Sequence, residues 1–146
     1  MRKGRRLGFD VGAVRTGVAV SSDDGIFASP IGNIAALEEV PQIVAEYCPI
    51  ELYVGLPLSL SGKHTASTNA AILFAKYLAE NTGLPVRMID ERLTTSSAAS
   101  LMRAAGKNSK RARPNIDAAA ATLILEQALA MERSGTTPGQ EVGEYL

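Results

Sequence analysis

The chain opens with strict alternation of apolar and other residues, and the hydrophobic period lengthens further along. From Leu7 to Val11 every second residue is apolar, which is the pattern of a β-strand with two different faces. Gly12 and Gly17 bracket a short reversal, and an apolar run resumes at 18–20. The first twenty residues therefore predict strand, tight turn and strand.

The rest of the chain reads as an α/β protein. Short links join the first three predicted strands, which favours an antiparallel meander. Later strands alternate with helices, which implies parallel crossovers. The pattern predicts strands at 7–11, 18–20, 26–34, 52–56 and 86–89 and helices at 37–48, 66–81, 94–104 and 116–133. We expect one domain over residues 1–134 and a disordered C-terminal tail over 135–146.

Composition narrows the class without naming a function. The chain has 146 residues, 46% of them hydrophobic, and a formal net charge of zero. It has no apolar run long enough to span a membrane and no secretion signal, so we expect a cytoplasmic protein. The single cysteine, Cys48, cannot form an internal disulfide and is predicted to be buried. Two basic runs, 2–6 and 103–113, are consistent with phosphate binding or with solvated surface.

Three acidic positions are unusual for the elements that carry them. Asp10 lies within the first strand, Asp90 and Glu91 follow the last one, and Asp117 lies in the first turn of the last helix, on a face that is otherwise small and apolar. Each alone has an ordinary structural explanation. Together, with one histidine and no cysteine ligand, they favour a hard cation bound through oxygen, Mg²⁺ or Mn²⁺ rather than zinc. The pattern alone does not choose between Asp90 and Glu91.

This acid set suits phosphodiester chemistry. Two divalent ions held by carboxylates can activate a water and stabilise a leaving oxygen. We expect phosphate contacts from the basic residues Arg15, Lys107, Lys110, Arg111 and Arg113. We also expect Gly8 and Gly12 to keep the face around Asp10 bare, so that metal and phosphate can reach it.

Four motifs, in order and spacing, resemble the YqgF family, also called RuvX. They are Asp10–Ala19, Val54–Pro57, Asp90–Thr95 and Ile116–Ala121, within a similarity that extends over residues 5–132. The resemblance implies a ribonuclease H-like fold with a five-stranded mixed sheet, three antiparallel strands followed by two parallel ones, flanked by helices. It also implies a nuclease that matures the 5′ end of pre-16S ribosomal RNA, or one that resolves Holliday junctions.

The same resemblance assigns roles. Asp10 matches the metal ligand of the first strand, Glu91 the second acid, and Asp117 the acid of the last helix. The expected cofactors are two Mg²⁺ or Mn²⁺ ions. The expected partners are structured RNA or ribosomal precursor particles, with branched DNA as the alternative and no membrane; monomer and homodimer both stay open.

Two further hypotheses concern other classes. A nucleic-acid-binding or ribosome-associated factor without catalysis would bind equally well after loss of all three acids. An ATP-binding module of the actin-like type also begins with an Asp-x-Gly hairpin, but it needs two such domains, and 146 residues leave no room for them.

Overall fold

The computed structural model describes residues 1–93 and 113–145, and the side chains of residues 93 and 113–117 fall outside that description. Its six strands are β1 Arg6–Val11, β2 Thr16–Ser21, β3 Ala28–Ile34, β4 Glu51–Leu56, β5 Val86–Asp90 and β6 Gln140–Glu141. Its α-helices are α1 Val40–Tyr47, α2 Ala66–Thr82 and α3 Arg113–Arg133. Single turns of 3₁₀-helix lie at Leu37–Glu39, Glu91–Leu93 and Val142–Glu144.

The strands form one mixed sheet in the order β3-β2-β1-β4-β5-β6. β1, β2 and β3 pair antiparallel, whereas β1, β4 and β5 pair parallel. The predicted α/β class and the predicted order of the first five strands are confirmed. The carboxyl ends of the parallel strands meet at one edge of the sheet, which we call the carboxyl edge.

The predicted disordered tail and the strand count were wrong. β6 pairs antiparallel with β5 as a sixth strand, in a register that places Glu141 opposite Arg87. The Arg87 side chain also donates a hydrogen bond to the Gly139 carbonyl at 3.3 Å, and Val142 is buried against the core. A two-residue strand in a polar segment carries too little hydrophobic pattern to be seen in the sequence.

The two faces of the sheet are packed differently. On one face, α1 and α2 cover large residues such as Leu7 and Phe9 of β1, and Phe74 of α2 packs against Phe9. On the other face α3 lies against the sheet through small residues such as Ala121 and Ala128. The small side chains bring the helix close to β1, where the acidic position of the first strand lies.

Other predicted details were corrected. The last helix starts at Arg113 rather than at residue 116, because a proline is well tolerated in a first helical turn. Cys48 is exposed rather than buried, since it ends α1 in the left-handed conformation with φ of 47°. The predicted helix 94–104 and most of the basic segment lie outside the described residues. In the described ranges, no helix has the length and hydrophobicity of a membrane span.

Candidate active site

Asp10 projects from the carboxyl end of β1 toward the α3 face of the sheet. A Cβ atom at Gly8 would lie 2.9 Å from Leu125 Cβ, so the residue-8 position faces α3. Side chains two residues apart on a strand share a face, and Asp10 therefore points the same way. Asp10 is half-buried at this edge.

Glu91 reaches Asp10 from two strands away. It is the first residue of the 3₁₀ turn that follows β5, and β4 lies between β5 and β1. Its side chain crosses β4 above Gly55, where a Cβ would be only 3.1 Å from Glu91 Cγ and Cδ. The carboxyl of Glu91 is hydrogen-bonded to that of Asp10.

The pairing of two carboxyl groups changes the acidity of the site. The pKa of Glu91 is raised to about 7, first by burial and then by the negative charge of Asp10 and the hydrogen bond with it. Two adjacent carboxylates repel each other unless a proton or a cation lies between them. Near neutral pH the pair therefore shares a proton in part of the molecules.

Asp90 has a different partner. The Arg92 backbone N–H donates to Asp90 Oδ1 at 2.9 Å, and Arg92 Nη2 donates to Oδ2 at 2.7 Å. The hydrogen bonds from the Arg92 side chain help to lower the pKa of Asp90. The two neighbouring acids are thus separated by environment, with Glu91 facing Asp10 and Asp90 held by an arginine.

The structure brings together only part of the predicted set. Asp117 lies in α3, but its side chain is outside the described part of the chain. Among the described residues, no three His, Cys, Asp or Glu side chains cluster as a metal site. Arg15 lies in the turn between β1 and β2, at the carboxyl edge. Of the other predicted phosphate contacts, Lys107, Lys110 and Arg111 lie outside the described residues, and Arg113 is described only as backbone.

The glycines serve packing and the turn instead of an open metal face. A Cβ at Gly8 would meet Leu125 and, at 3.0 Å, the Ala121 carbonyl. The Gly12 N–H donates to the Arg15 carbonyl at 3.0 Å, and a Cβ at Gly12 would lie 2.5 Å from that oxygen. The expectation that these two glycines keep the site bare was wrong, because protein atoms occupy the space beside them.

Gly55 is the residue that the sequence reasoning missed. A Cβ there would lie 2.5 Å from Ile124 Cδ1 as well as 3.1 Å from the Glu91 side chain. Because Gly55 has no Cβ, a gap remains above β4, and the Glu91 side chain passes through it to reach Asp10. A glycine inside an otherwise apolar strand signals a close approach, and this signal was present in the sequence.

The loop after β4 is a compact hairpin beside this site. Leu58 and His64 form an isolated antiparallel bridge, and the Ser59 N–H donates to the Lys63 carbonyl at 3.0 Å. Arg92 lies against Gly62, since a Cβ there would be 3.2 Å from Arg92 Nη1. Arg92, which forms an ion pair with Asp90, thus also contacts this loop.

A family model described as Holliday junction resolvase, RuvX, matches residues 4–131 of this chain. The chain belongs to the RuvX family. Two similar proteins, from Leifsonia xyli subsp. xyli and Streptomyces coelicolor, both carry the name "Putative pre-16S rRNA nuclease". The first is 49% identical, covering 94% of this chain and 93% of its own; the second is 47% identical, covering 97% and 90%.

A solved structure, Thermus thermophilus RuvC in complex with Holliday junction substrate, resembles this RuvX-family chain in fold. The TM-score is 0.61 at 16% identity, over 92% of this chain and 99% of that one. At this identity the similarity concerns the fold, which is the ribonuclease H-like fold expected from the motifs. Family membership makes the chain a hydrolase of the nuclease class.

Proposed function

We propose that this chain is a divalent-metal-dependent nuclease that hydrolyses phosphodiester bonds in structured RNA, in maturation of the 5′ end of pre-16S rRNA. The observation that carries the catalytic part is the carboxyl pair, in which Glu91 crosses Gly55 to reach Asp10. The choice of RNA is supported by the names of relatives that share 47–49% identity with this chain.

The described residues fit a divalent cation by their chemistry. Carboxylate oxygens are the ligands that Mg²⁺ and Mn²⁺ prefer. Burial and the negative charge of Asp10 raise the pKa of Glu91, and a bound cation would favour the ionised form of both carboxyl groups. We assign Asp10 and Glu91 as ligands and propose Asp117 as a third. When bound, such ions supply Lewis-acid stabilisation of charge on the phosphate oxygens and lower the pKa of water.

The protein's own groups prepare the substrate for that chemistry. Asp10 lies on β1 and Glu91 begins the 3₁₀ turn directly after β5, so two strands of one sheet set the separation of the two acids. Arg15, in the turn beside Asp10, is proposed to hold a backbone phosphate. Arg92 keeps Asp90 ionised and paired, so that this acid does not compete with Glu91 for the cation.

A second candidate substrate is branched DNA. The family model is described as Holliday junction resolvase, and the RuvC neighbour was solved in complex with a Holliday junction substrate. Resolution of a junction needs two symmetric cuts, which a two-fold dimer supplies. A chain that is monomeric while it cleaves would count against this candidate.

The test compares both substrates in one assay. Purified protein with Mg²⁺ or Mn²⁺ is given precursor 16S RNA or a four-way DNA junction, beside Asp10→Asn and the control Asp23→Asn. Asp23 is exposed in the turn between β2 and β3, at the opposite edge of the sheet. We expect RNA cleavage that falls roughly a thousandfold in Asp10→Asn, because loss of a ligand removes several kcal/mol of charge stabilisation. Equal cleavage by wild type and Asp10→Asn would refute the proposed site.

A further inference from the structure

A cleft of about 170 Å³ opens at the carboxyl edge, beside the turn that joins β1 to β2. It lies between this turn and the segment that leads from β3 into α1. The side chains that define it are those of Val14, Arg15, Ile34, Ala36, Leu37 and Phe74. None of these residues belongs to the acid pair.

Apolar side chains form the base of the cleft, polar atoms share its exposed lining, and a cation lies at its rim. Phe74 and Ile34 are buried at its base, with 8% and 6% of their surface exposed, whereas Val14 at its mouth is 83% exposed. Among the described residues that line the cleft, Arg15 carries the only charge. Exposed apolar surface beside a concave site marks an interaction surface, and the cation at the rim favours a ligand that carries a negative charge.

Its size limits the ligand. About 170 Å³ corresponds to the space of roughly six water molecules. This space is enough for one planar ring system and too small for several side chains of a bound peptide. The lack of a lining carboxylate disfavours a cationic ligand. A nucleobase has apolar faces and polar edges, so a base next to a phosphate suits both the mixed lining and the arginine at the rim.

The position relative to the acid pair is the second argument. Asp10 points to the α3 face, whereas Phe74 places the cleft on the α2 face, and the turn from Gly12 to Arg15 lies between them. Asp10 and Gly12 are two residues apart on an extended chain, about 7 Å. A nucleic-acid strand that crosses this turn would present one phosphodiester to the acid pair and its neighbouring nucleotide to the cleft.

We propose that this cleft binds one nucleobase of the substrate strand, next to the phosphodiester at the acid pair. The inference rests on the proposed nuclease function and adds to it a requirement for an unpaired base beside the cleaved bond. Base stacking on aromatic and apolar side chains is worth about 1–3 kcal/mol per base. Closing the cleft should therefore weaken single-strand binding measurably without touching the acids.

The test fills the cleft with Ala36→Phe. Ala36 is exposed, and its φ of −141° and ψ of 148° are extended backbone that phenylalanine also adopts. The control is Ala45→Phe, the same change at an exposed alanine of α1, near the opposite edge of the sheet. Leu37→Ser, which removes one wall of the cleft, is a second variant in case Ala36→Phe does not fold.

Binding is measured by fluorescence anisotropy in Ca²⁺ with two labelled ten-mers, one of uridine and one of abasic ribose phosphate. We expect Ala36→Phe to raise the Kd for the uridine ten-mer about tenfold, and to leave the Kd for the abasic ten-mer unchanged. Ala45→Phe should match wild type with both. Comparing two ligands across two variants isolates the contribution of the base.

Several results would overturn the proposal. They are an unchanged Kd of both cleft variants for uridine, an equal loss on the abasic ten-mer, or no preference of wild type for uridine over abasic RNA. The cleavage assay with Asp10→Asn runs in parallel. Absence of cleavage by wild type refutes the nuclease proposal, whereas normal cleavage with unaltered uridine binding by Ala36→Phe refutes only the cleft.

Discussion

Two groups of carboxylates lie at opposite edges of the sheet, and they are neutralised in different ways. At the amino ends of β1 and β4, Arg6 Nη2 lies 2.6 Å from Glu132 Oε2, and Arg2 Nη2 lies 2.6 Å from Glu51 Oε2. We call these four residues the arginine cluster. At the carboxyl edge, Asp10 and Glu91 face each other and share a hydrogen bond.

The difference separates an ion-paired cluster from the proposed metal site. In the arginine cluster the Tyr53 hydroxyl also donates to Glu51 Oε2 at 2.5 Å, and burial with this neighbour raises the pKa of Tyr53. Each carboxylate there has a fixed guanidinium partner, so a cation would add nothing. In the acid pair, a shared proton reduces the repulsion between the two carboxyl groups, and this proton is lost as the pH rises.

The comparison also bears on the basic run at the N-terminus. Arg2 and Arg6 are engaged with carboxylates inside the fold, and Arg6 is fully buried. Arg5 lies over the Tyr47 ring at 5.7 Å. Arg2 and Arg6 therefore hold the start of β1 to the end of α3, and this run lies at the opposite end of β1 from the acid pair.

The largest expected effect comes from breaking the arginine cluster with Arg6→Met. The variant keeps the length of the side chain but leaves Glu132 and the Gly4 carbonyl, which Arg6 Nη1 contacts at 2.7 Å, without this donor. Loss of one partner of a buried ion pair costs about 3–5 kcal/mol. Urea unfolding at pH 7 should show a loss of this size in the free energy of unfolding.

Arg5→Met is the matched control, since Arg5 is exposed and contributes a cation–π contact of about 0.5–1 kcal/mol. Equal losses in the two variants would contradict the distinction between buried cluster and surface charge. Mn²⁺ affinity should stay the same in both variants, because neither changes the acid pair.

The acid pair should make stability depend on pH in the opposite sense from ordinary carboxylates. The pKa of Glu91 rises from 4.5 to about 7 on folding, so the folded protein binds more protons than the unfolded chain between these values. The contribution of Glu91 to the free energy of unfolding is therefore fully present below about pH 4.5 and is lost as the pH rises through 7. The shift corresponds to about 3 kcal/mol.

Urea unfolding in EDTA at pH 5 and pH 8 measures this effect, and Glu91→Gln is the control. Wild type should lose stability over this range, whereas the variant should lose less by up to about 3 kcal/mol. The pKa of Asp90 is lowered, so its effect on the free energy of unfolding changes only below pH 5. Parallel curves for wild type and Glu91→Gln would contradict the proton-sharing pair.

Sequence patterns predicted the first five strands and their antiparallel and parallel pairing, because apolar segments and the links between them determine both. The alternation at Leu7–Val11 and the strand-helix-strand order around β4 and β5 were sufficient for five strands. Family motifs chose Glu91 over Asp90, and the structure shows Glu91 beside Asp10; its role as a metal ligand stays a prediction. Local periodicity alone could not choose, because alternation says only that neighbours point oppositely.

What the sequence could not predict depends on contacts between distant segments. The two residues of β6 have no period of their own and are ordered by Arg87 and the edge of β5. The function of Gly8 appears only when α3 is placed on β1, and that of Gly55 only when Glu91 crosses β4. Such roles of glycine follow from space in three dimensions, which a linear pattern does not contain.

A substitution at Gly55 should convert the acid pair into a weaker site without removing an acid. Gly55→Ala alone would collide with Ile124 Cδ1, so the test is made in an Ile124→Val background, where that methyl group is absent. The next nearest atoms to the new Cβ are Glu91 Cγ and Cδ, at 3.1 Å. Displacement of a ligand by its supporting residues costs about 10- to 100-fold in metal affinity.

Calorimetric titration with Mn²⁺ measures this loss, and Gly143→Ala in the same background is the control, since a Cβ there meets open space. We expect the control to bind Mn²⁺ as the parent does. If Gly55→Ala also kept the parent affinity, Glu91 would not need the gap above β4, and the positioning role of Gly55 would be rejected.

The smallest expected effect on stability comes from an exposed ion pair of Arg87, next to the arginine cluster. Arg87 contacts two carboxylates, Glu51 at 3.3 Å and Glu141 at 3.5 Å. The Glu141 side chain is 61% exposed and that of Glu51 is 5% exposed.

Exposed ion pairs contribute about 0–1 kcal/mol and are screened by salt. Glu141→Gln should therefore change the free energy of unfolding by less than about 0.5 kcal/mol, whereas Glu51→Gln should cost several-fold more because Arg2, Tyr53 and Arg87 lose a buried charged acceptor. Urea unfolding at low and high salt compares the two variants. A loss above about 1 kcal/mol in Glu141→Gln would mean that β6 is held to β5 by this ion pair rather than by its backbone hydrogen bonds and the burial of Val142.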